Sequence, residues 1–136
     1  MSHLASYEAW NAELLAGALG GRANTYQQLR AKHGSEFNQA EVDKRKPHSV
    51  DQVLAEYANH LQQVMELAGR MPDEVFRQVG TIGWYGPEYC LNDFLVYTNY
   101  GHKREHAAQF SMWKDRLAHA GQGGRGRDGQ LADHEP

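Results

Sequence analysis

Between Pro47 and Pro72, apolar side chains recur at spacings of three and four residues, and this pattern constrains the fold more than any other feature of the sequence. Such spacing places the side chains on one face of an α-helix. Ser49 and Gln52, three residues apart at the start of the run, have the spacing of a capping box. The segment therefore predicts one long amphipathic helix, whose apolar positions are Val50, Val53, Leu54, Tyr57, Leu61, Val64, Met65 and Ala68.

Two further segments show the same helical recurrence. The first ends at Gly20 and Gly21, where a left-handed residue commonly terminates a helix, and its apolar positions are Leu4, Tyr7, Trp10, Leu14, Leu15 and Leu19. The last runs from about Leu91 to Ala118, with an early apolar side of Leu91, Leu95 and Val96 and a later one of Phe110, Trp113 and Leu117. No segment alternates cleanly between apolar and polar residues. The sequence therefore predicts an all-α bundle with three long helices.

The segments between these helices predict connections. Residues Arg22 to His48 are polar and predict a long connection with one or two short helical turns, and residues Asp73 to Cys90 predict a linker rich in glycine and aromatic residues. From Gly121 onward the chain is glycine-rich and almost free of large apolar groups, so burial cannot offset the entropy of ordering it. We therefore expect one helical domain over residues 1–119 and a disordered tail over residues 120–136.

The 136 residues suffice for one domain, and their bulk properties limit its partners. A net charge of −3 provides no strong field that would attract nucleic acid or an anionic membrane. Cys90 is the only cysteine, which excludes an internal disulfide and fits a reducing compartment. The sequence shows neither a secretory-signal pattern nor a long apolar run. We expect a soluble cytoplasmic protein that binds neither nucleic acid nor membranes.

His102 and His106 are four residues apart in the last predicted helix, so both imidazoles lie on one face and can share one metal ion. The alternative is a solvated helix face, because charged residues separate the two histidines. Two ligands make a labile site, whereas a catalytic zinc-type centre uses three. His3 is the preferred third ligand, since its helix is expected to pack against the last one; the alternative for His3 is an exposed terminal histidine. The less favoured histidines are His33, His48, His60, His119 and His134.

The same stretch matches His-x-x-Glu-His, the spacing of a class of zinc peptidases in which the glutamate is the general base. These enzymes take a further, acidic ligand from far downstream. Only 30 residues, 107–136, follow His106, and their acidic residues are not expected on a second packed helix. The peptidase hypothesis is therefore rejected, and Glu105 is expected to be a surface residue.

Two stretches, "HLASYEAWNAELL" at the start and "WYGPEYCLNDFLVYTNYGHKREHAAQFSMW" near the end, resemble the DinB-like superfamily, especially its ClbS/DfsB branch. The resemblance covers roughly residues 2–118. It implies an up-down four-helix bundle in which three histidines hold a divalent ion, and these correspond to His3, His102 and His106. Imidazole ligands are compatible with zinc, nickel, iron or manganese, and affinity favours zinc or nickel.

The chain departs from this family in one respect, because the family's first helix has no counterpart here. We expect a start codon placed too late, a truncation, or a partner subunit that covers the seam. Without a cover, Leu4, Trp10 and Leu14 would form an exposed apolar patch that favours association, so a homodimer is one expected state.

The resemblance implies a metal-dependent protein that hydrolyses or detoxifies a small reactive metabolite. The alternatives are a thiol-dependent transferase, a non-catalytic metal-binding bundle associated with stress, and a structural helical protein without metal. No residue stands out as the general base. Trp84, Tyr85 and Tyr89 either line the entrance to the site or act as core aromatics that cap the bundle.

Overall fold

The computed structural model describes residues 1–20, 32 and 36–123, with side-chain surroundings up to residue 120. Within that part every regular element is helical and no strand occurs, although Val79 and Cys90 form an isolated antiparallel bridge. The elements are α1 (Ser2–Ala18), α2 (Glu36–Arg45), α3 (Val50–Arg70), α4 (Asp73–Arg77), α5 (Leu91–Val96), a π-helical segment (Tyr97–Gly101) and α6 (His102–Gly123). The prediction of an all-helical fold is confirmed.

Contacts between Cα atoms group the chain into two units, Met1–Thr98 and Asn99–Pro136, and each is described by itself. The predicted division into residues 1–119 and 120–136 stays a prediction, because residues 124–136 lie outside the described part. The same holds for most of the predicted connection from Arg22 to His48, in which the structure describes α2. The predicted linker from Asp73 to Cys90 contains the five-residue helix α4.

The bounds of α1 and α3 follow from local signals in the sequence. On α3 the predicted capping box is confirmed, since the Gln52 amide donates to Ser49 Oγ and the Ser49 amide donates to Gln52 Oε1. This reciprocal pair satisfies two of the amides that a helix N-terminus leaves unpaired. Gly20, with φ 87°, follows the end of α1 in the left-handed conformation that glycine adopts at lowest cost.

Helix α1 is the centre of the first unit and packs against both α3 and α2. Trp10 is 2 % exposed and Leu14 is 5 % exposed, so the expectation that both would belong to an exposed patch is wrong. Partners from the rest of the unit bury them. The core around them consists of Ala12, Leu15, Val64, Met71, Ile82, Leu91 and Phe94.

Aromatic rings extend this core toward the surface. The Trp10 ring is stacked on Trp84 at 5.1 Å between centroids and meets Phe94 edge-on at 5.5 Å. Tyr85 also contacts Phe94, at 5.1 Å. Edge-to-face and offset-stacked contacts of this kind add to the hydrophobic stabilisation from burial.

A buried ion network joins α2 to α3. Arg45 is 3 % exposed, and its Nη1 donates to Glu41 Oε2 at 2.7 Å and to the Glu41 carbonyl at 2.9 Å. Its Nη2 donates to Glu56 Oε1 at 2.6 Å, and its Nε contacts both oxygens of that carboxylate at 3.1 Å. A guanidinium with two carboxylates tolerates burial because its donors are matched by charged acceptors.

In the second unit, the structure describes the last part of the π-helical segment and helix α6. From Ala107 to Ala120 every side chain of α6 is exposed, including Phe110 at 59 %, Trp113 at 53 % and Leu117 at 53 %. The later apolar side predicted for this helix therefore exists as a pattern but is not buried in the structure. None of the described helices combines the length and apolar character that crossing a lipid bilayer requires.

Candidate metal centre

The segment before the histidine pair is a π-helical turn, Tyr97–Gly101, and α6 begins at His102. π-turns inside helices are uncommon and occur frequently at functional sites. The two basic residues after His102 bond one turn back along the helix: Lys103 Nζ donates to Asn99 Oδ1 at 2.8 Å, and Arg104 Nη1 donates to Tyr100 Oη at 2.6 Å. Both basic groups therefore have acceptors other than the histidines.

His102 and His106 converge through the same ring atom. Their Nε2 atoms are 3.0 Å apart and their ring centroids are 4.6 Å apart, with the rings close to perpendicular. The four-residue spacing in the sequence correctly predicted that both rings lie on one face of the helix. Two imidazole nitrogens at this distance either share a proton or bind the same cation.

Gln109 fixes the protonation pattern of the second ring. His106 Nδ1 lies 3.0 Å from Gln109 Oε1, and a carbonyl oxygen only accepts hydrogen bonds. In the neutral ring, donation from Nδ1 to this oxygen leaves the lone pair on Nε2. Metal-bound histidines typically donate their other ring N–H to an oxygen acceptor in this way. Gln109 is not among the candidate residues predicted from the sequence, although its position three residues after His106 is a detectable signal.

His102 is buried, with 6 % of its surface exposed, whereas His106 is half-buried. Burial, and secondly the electrostatic effect of the neighbouring His106 ring, hold the pKa of His102 below its ordinary value. Both causes disfavour the protonated imidazole. The neutral ring is the form that binds metals, so this environment favours a ligand.

His3 lies in the first turn of α1, in the first unit, and is half-buried. Its ring meets Tyr7 edge-on at 4.7 Å between centroids, and its carbonyl accepts a hydrogen bond from Ser6 Oγ at 2.7 Å. His102 and His106 both lie in the second unit. The assignment of His3 as the third ligand stays a prediction.

The less favoured histidines lie in other settings. His48 is exposed, and His119 is exposed with Nδ1 2.9 Å from the Asp115 carbonyl of its own helix. His60, on α3, has Nδ1 3.3 Å from Gln63 Oε1. His33 and His134 lie outside the described residues.

Glu105 is exposed, which confirms that it is a surface residue. The first unit has an open groove between α1 and α3, with a volume of about 440 Å³. Pockets of this size accommodate small ligands. It is lined by Ala9, Ala12, Glu13, His60, Gln63, Glu66, Leu67 and Arg70.

The three aromatic residues singled out in the sequence pack together in the first unit. Trp84 is stacked on Trp10, and Tyr85 lies 4.9 Å from Tyr89 between ring centroids. Burial raises the pKa of Tyr85. Trp84 and Tyr89 keep 46 % and 42 % of their surface exposed, so they cover the core from outside. Their role at the entrance to a site stays a prediction.

Comparison with known proteins places no further constraint on the site, because no protein-family model, curated protein or solved structure matches this chain.

Proposed function

We propose that His102 and His106 are two ligands of a divalent-metal site and that the chain is a metal-dependent protein of the DinB-like, ClbS/DfsB type. The observation that carries the proposal is the convergence of the two Nε2 atoms at 3.0 Å, together with the Gln109 oxygen on the far nitrogen of His106. The third ligand is His3, which rests on the sequence resemblance. An up-down bundle that has three of the family's four long helices is part of the same proposal.

The residues present fit such an ion. Zinc–nitrogen bonds are about 2.0–2.1 Å long, so two nitrogens separated by 3.0 Å can both reach one ion between them. Imidazole nitrogens suit zinc, nickel and iron, and affinity favours zinc or nickel over iron or manganese. Without the ion, the same two atoms form a hydrogen bond, which keeps both rings in the orientation that metal binding requires.

The reaction we propose is the hydrolysis or detoxification of a small electrophilic metabolite. Three protein ligands leave a coordination position open, and a bound ion supplies Lewis acidity there. The residues of this chain bind the ion and fix its position. Gln109 holds the His106 tautomer, and the burial of His102 keeps its ring neutral and shields one side from water.

Metal analysis of tag-free protein tests the site directly. We expect close to one ion per chain in the wild type and its loss in His106→Ala, because a single remaining ligand from the pair cannot retain it. His60→Ala is the matched control, since His60 has the same glutamine neighbour but, among the described residues, no neighbouring histidine ring, and it should keep the ion. A wild type without stoichiometric metal, or retention in His106→Ala, would reject the site.

His3→Ala tests the third ligand separately. Reduced metal affinity with an unchanged helical circular-dichroism signal supports a three-histidine centre, and unchanged affinity rejects His3. The reaction is tested by screening electrophiles and thiol conjugates with and without a chelator. Turnover that needs the ion supports catalysis, with thiol dependence indicating a transferase. A chelator that lowers only the melting temperature, with no turnover of any substrate, indicates an ion that stabilises the fold.

A further inference from the structure

Three aromatic side chains between α4 and α5, in the first unit, stay partly exposed. Trp84 is 46 % exposed and Tyr89 42 %, and Tyr85 is half-buried. Because the Trp10 ring is stacked on one face of Trp84, the exposed part of Trp84 lies on its other face and its edge. The Tyr85 ring lies 5.9 Å from Trp84 and 4.9 Å from Tyr89 between centroids, at interplanar angles of 69° and 50°. Trp84, Tyr85 and Tyr89 are called the aromatic cluster.

The charges around the aromatic cluster are negative. Residues 78–101 include the acidic residues Glu88 and Asp93 but neither lysine nor arginine. A Cβ atom added to Gly86 would lie 2.9 Å from Tyr89 Cδ2 and 3.0 Å from Glu88 Oε2, so the Glu88 carboxylate lies beside the Tyr89 ring. Among the described residues, no basic side chain forms an ion pair with Glu88. This carboxylate is therefore available to a cation from outside that part of the chain.

Asp93 adds a second negative group near the aromatic cluster. Its Oδ2 accepts a hydrogen bond from the Cys90 amide at 2.9 Å, and the hydrogen bonds from Cys90 hold the pKa of this carboxyl below its ordinary value. Burial raises the pKa of Tyr85 most, and the nearby hydroxyl of Tyr89 and carboxylate of Asp93 raise it further. Surroundings that disfavour an anion at Tyr85 favour a cation at the same place.

We propose that the aromatic cluster and Glu88 bind the head group of a small quaternary ammonium compound. An aromatic ring attracts a cation that lies over its face within about 6 Å of the ring centroid. A quaternary ammonium group suits such rings, because its methyl groups make apolar contacts with them, whereas a primary ammonium is strongly hydrated and carries donors that need acceptors. Glu88 and Asp93 add the attraction of their negative charges.

The position of the aromatic cluster in the chain favours a small molecule over a polypeptide partner. All five residues of the site lie between Trp84 and Asp93, so they offer contacts to a head group and not to an extended chain. None of them belongs to the proposed metal ligands, His102 and His106, so binding is expected whether or not a metal ion is present. Because the rings stay partly exposed to water, we expect weak binding, with a dissociation constant on the order of 1–10 mM.

Titration of the full chain with choline tests the site, with a chelator present and the indole N–H signals followed by NMR. We expect a saturable shift of the Trp84 signal. The neutral analogue with a tert-butyl group in place of the trimethylammonium group should bind about tenfold more weakly, because it keeps the shape and lacks the charge. Equal affinities would overturn the proposal, since they would indicate an apolar surface without a preference for cations. A Trp84 signal that does not move would also overturn it.

Substitutions locate the bound cation, with binding read from the backbone amide signals of residues 84–93. Trp84→Leu should raise the dissociation constant about fivefold or more. Glu88→Gln should raise it about two- to fivefold, and this exposed position leaves the packing around Trp10 intact, so folding of the variant is not at risk. Unchanged affinity in either variant would overturn the proposal.

Two matched controls and one alternative ligand complete the test. Trp113→Leu and Glu66→Gln also remove an exposed tryptophan and an exposed carboxylate, but outside the aromatic cluster, so both should bind choline like the wild type. Loss of binding in either control would place the cation elsewhere and reject the site. A short peptide that carries trimethyllysine should bind no more tightly than choline. Binding about tenfold tighter would contradict the proposal and indicate a protein partner.

Discussion

Two helices of this chain carry the same pair of side chains, a histidine followed three residues later by a glutamine. On α3, His60 Nδ1 lies 3.3 Å from Gln63 Oε1, and on α6, His106 Nδ1 lies 3.0 Å from Gln109 Oε1. In the neutral ring of either pair, donation from Nδ1 to the glutamine oxygen places the lone pair on Nε2. The two rings are therefore prepared in the same way, and only their surroundings differ.

The residue one turn earlier makes the difference. Before His60 stands Glu56, whose Oε1 is 3.9 Å from the ring Nε2 and accepts a hydrogen bond from Arg45 at 2.6 Å. Before His106 stands His102, whose Nε2 is 3.0 Å away. A carboxylate already engaged by a guanidinium is a poor metal ligand, whereas a second neutral imidazole is a good one. The same local motif thus belongs to a structural ion network in α3 and to a candidate metal site in α6.

The largest expected difference between the first unit, which contains α3, and helix α6 is in packing, and a tryptophan in each tests it. Trp10→Ala should lower the free energy of unfolding by about 3–5 kcal/mol, because Trp10 is 2 % exposed and its removal leaves a cavity. Trp113→Ala, at a position 53 % exposed, should change it by about 0.5 kcal/mol or less. Urea denaturation at a concentration where the chain is monomeric measures both. Equal losses would show that α6 is packed as tightly as α1.

An arginine in each region gives the next largest contrast. Arg45→Ala should cost about 3 kcal/mol, because it leaves the buried Glu41 carboxylate without its guanidinium partner. Arg104 donates to Tyr100 Oη and stacks over that ring at 5.0 Å, but it is exposed. Arg104→Ala should therefore cost less than about 1 kcal/mol. Thermal and urea unfolding measure the loss of stability in both variants. Equal losses would contradict this contrast.

The two glutamines test which of the two histidine settings binds the metal. Gln109→Ala should weaken metal affinity by about 10–100-fold, since the outer hydrogen bond that orients a metal-bound imidazole is lost. Gln63→Ala should leave the affinity unchanged, because no second imidazole lies beside His60 in the part of the chain that the structure describes. Competition with a chromophoric chelator measures both affinities. If Gln63→Ala had the larger effect, the metal would belong to α3 instead.

The smallest expected effect is a dependence of stability on pH. The hydrogen bond from Arg45 holds the pKa of Glu56 below its ordinary value. The folded chain therefore keeps Glu56 ionised where the unfolded chain protonates it, and this stabilisation is present above the unfolded pKa and is lost as the pH falls through the folded pKa. Glu56→Gln should cost about 1 kcal/mol or less at neutral pH and flatten the acid limb of a stability–pH curve. In an Arg45→Ala background the same substitution should no longer change that limb.

The parts of the fold that could be predicted from the sequence are those specified by neighbouring residues. The capping box of α3, the glycine after α1 and the pairing of His102 with His106 each depend on residues three or four apart. The Arg45–Glu56 contact joins residues eleven apart across two helices, and no local pattern indicates it. The burial of Trp10 depends on Phe37, Trp84 and Phe94, which come from distant segments, so the exposed patch expected from the sequence was wrong.

On α6, the row of Phe110, Trp113 and Leu117 has the periodicity of a buried side, and yet it is exposed. Periodicity indicates which residues share a face, but not whether another element of the same chain covers that face. The third ligand depends on the same kind of long-range information, and His3 therefore stays a prediction. The contact between Gln109 and His106 could have been predicted from the sequence, since residues at this spacing are neighbours on a helix.

The π-helical turn at Tyr97–Gly101 has a consequence for how the gene can change. A turn of this kind holds one residue more than an α-helical turn, so losing a single codon there could restore a regular helix. Because the π turn absorbs the extra residue, that deletion would leave His102 and His106 four residues apart and at nearly the same angle around the helix axis. A chain with this deletion would therefore keep both the ligand pair and its direction, whereas the same deletion inside a regular α-helix would turn every later residue by about 100°.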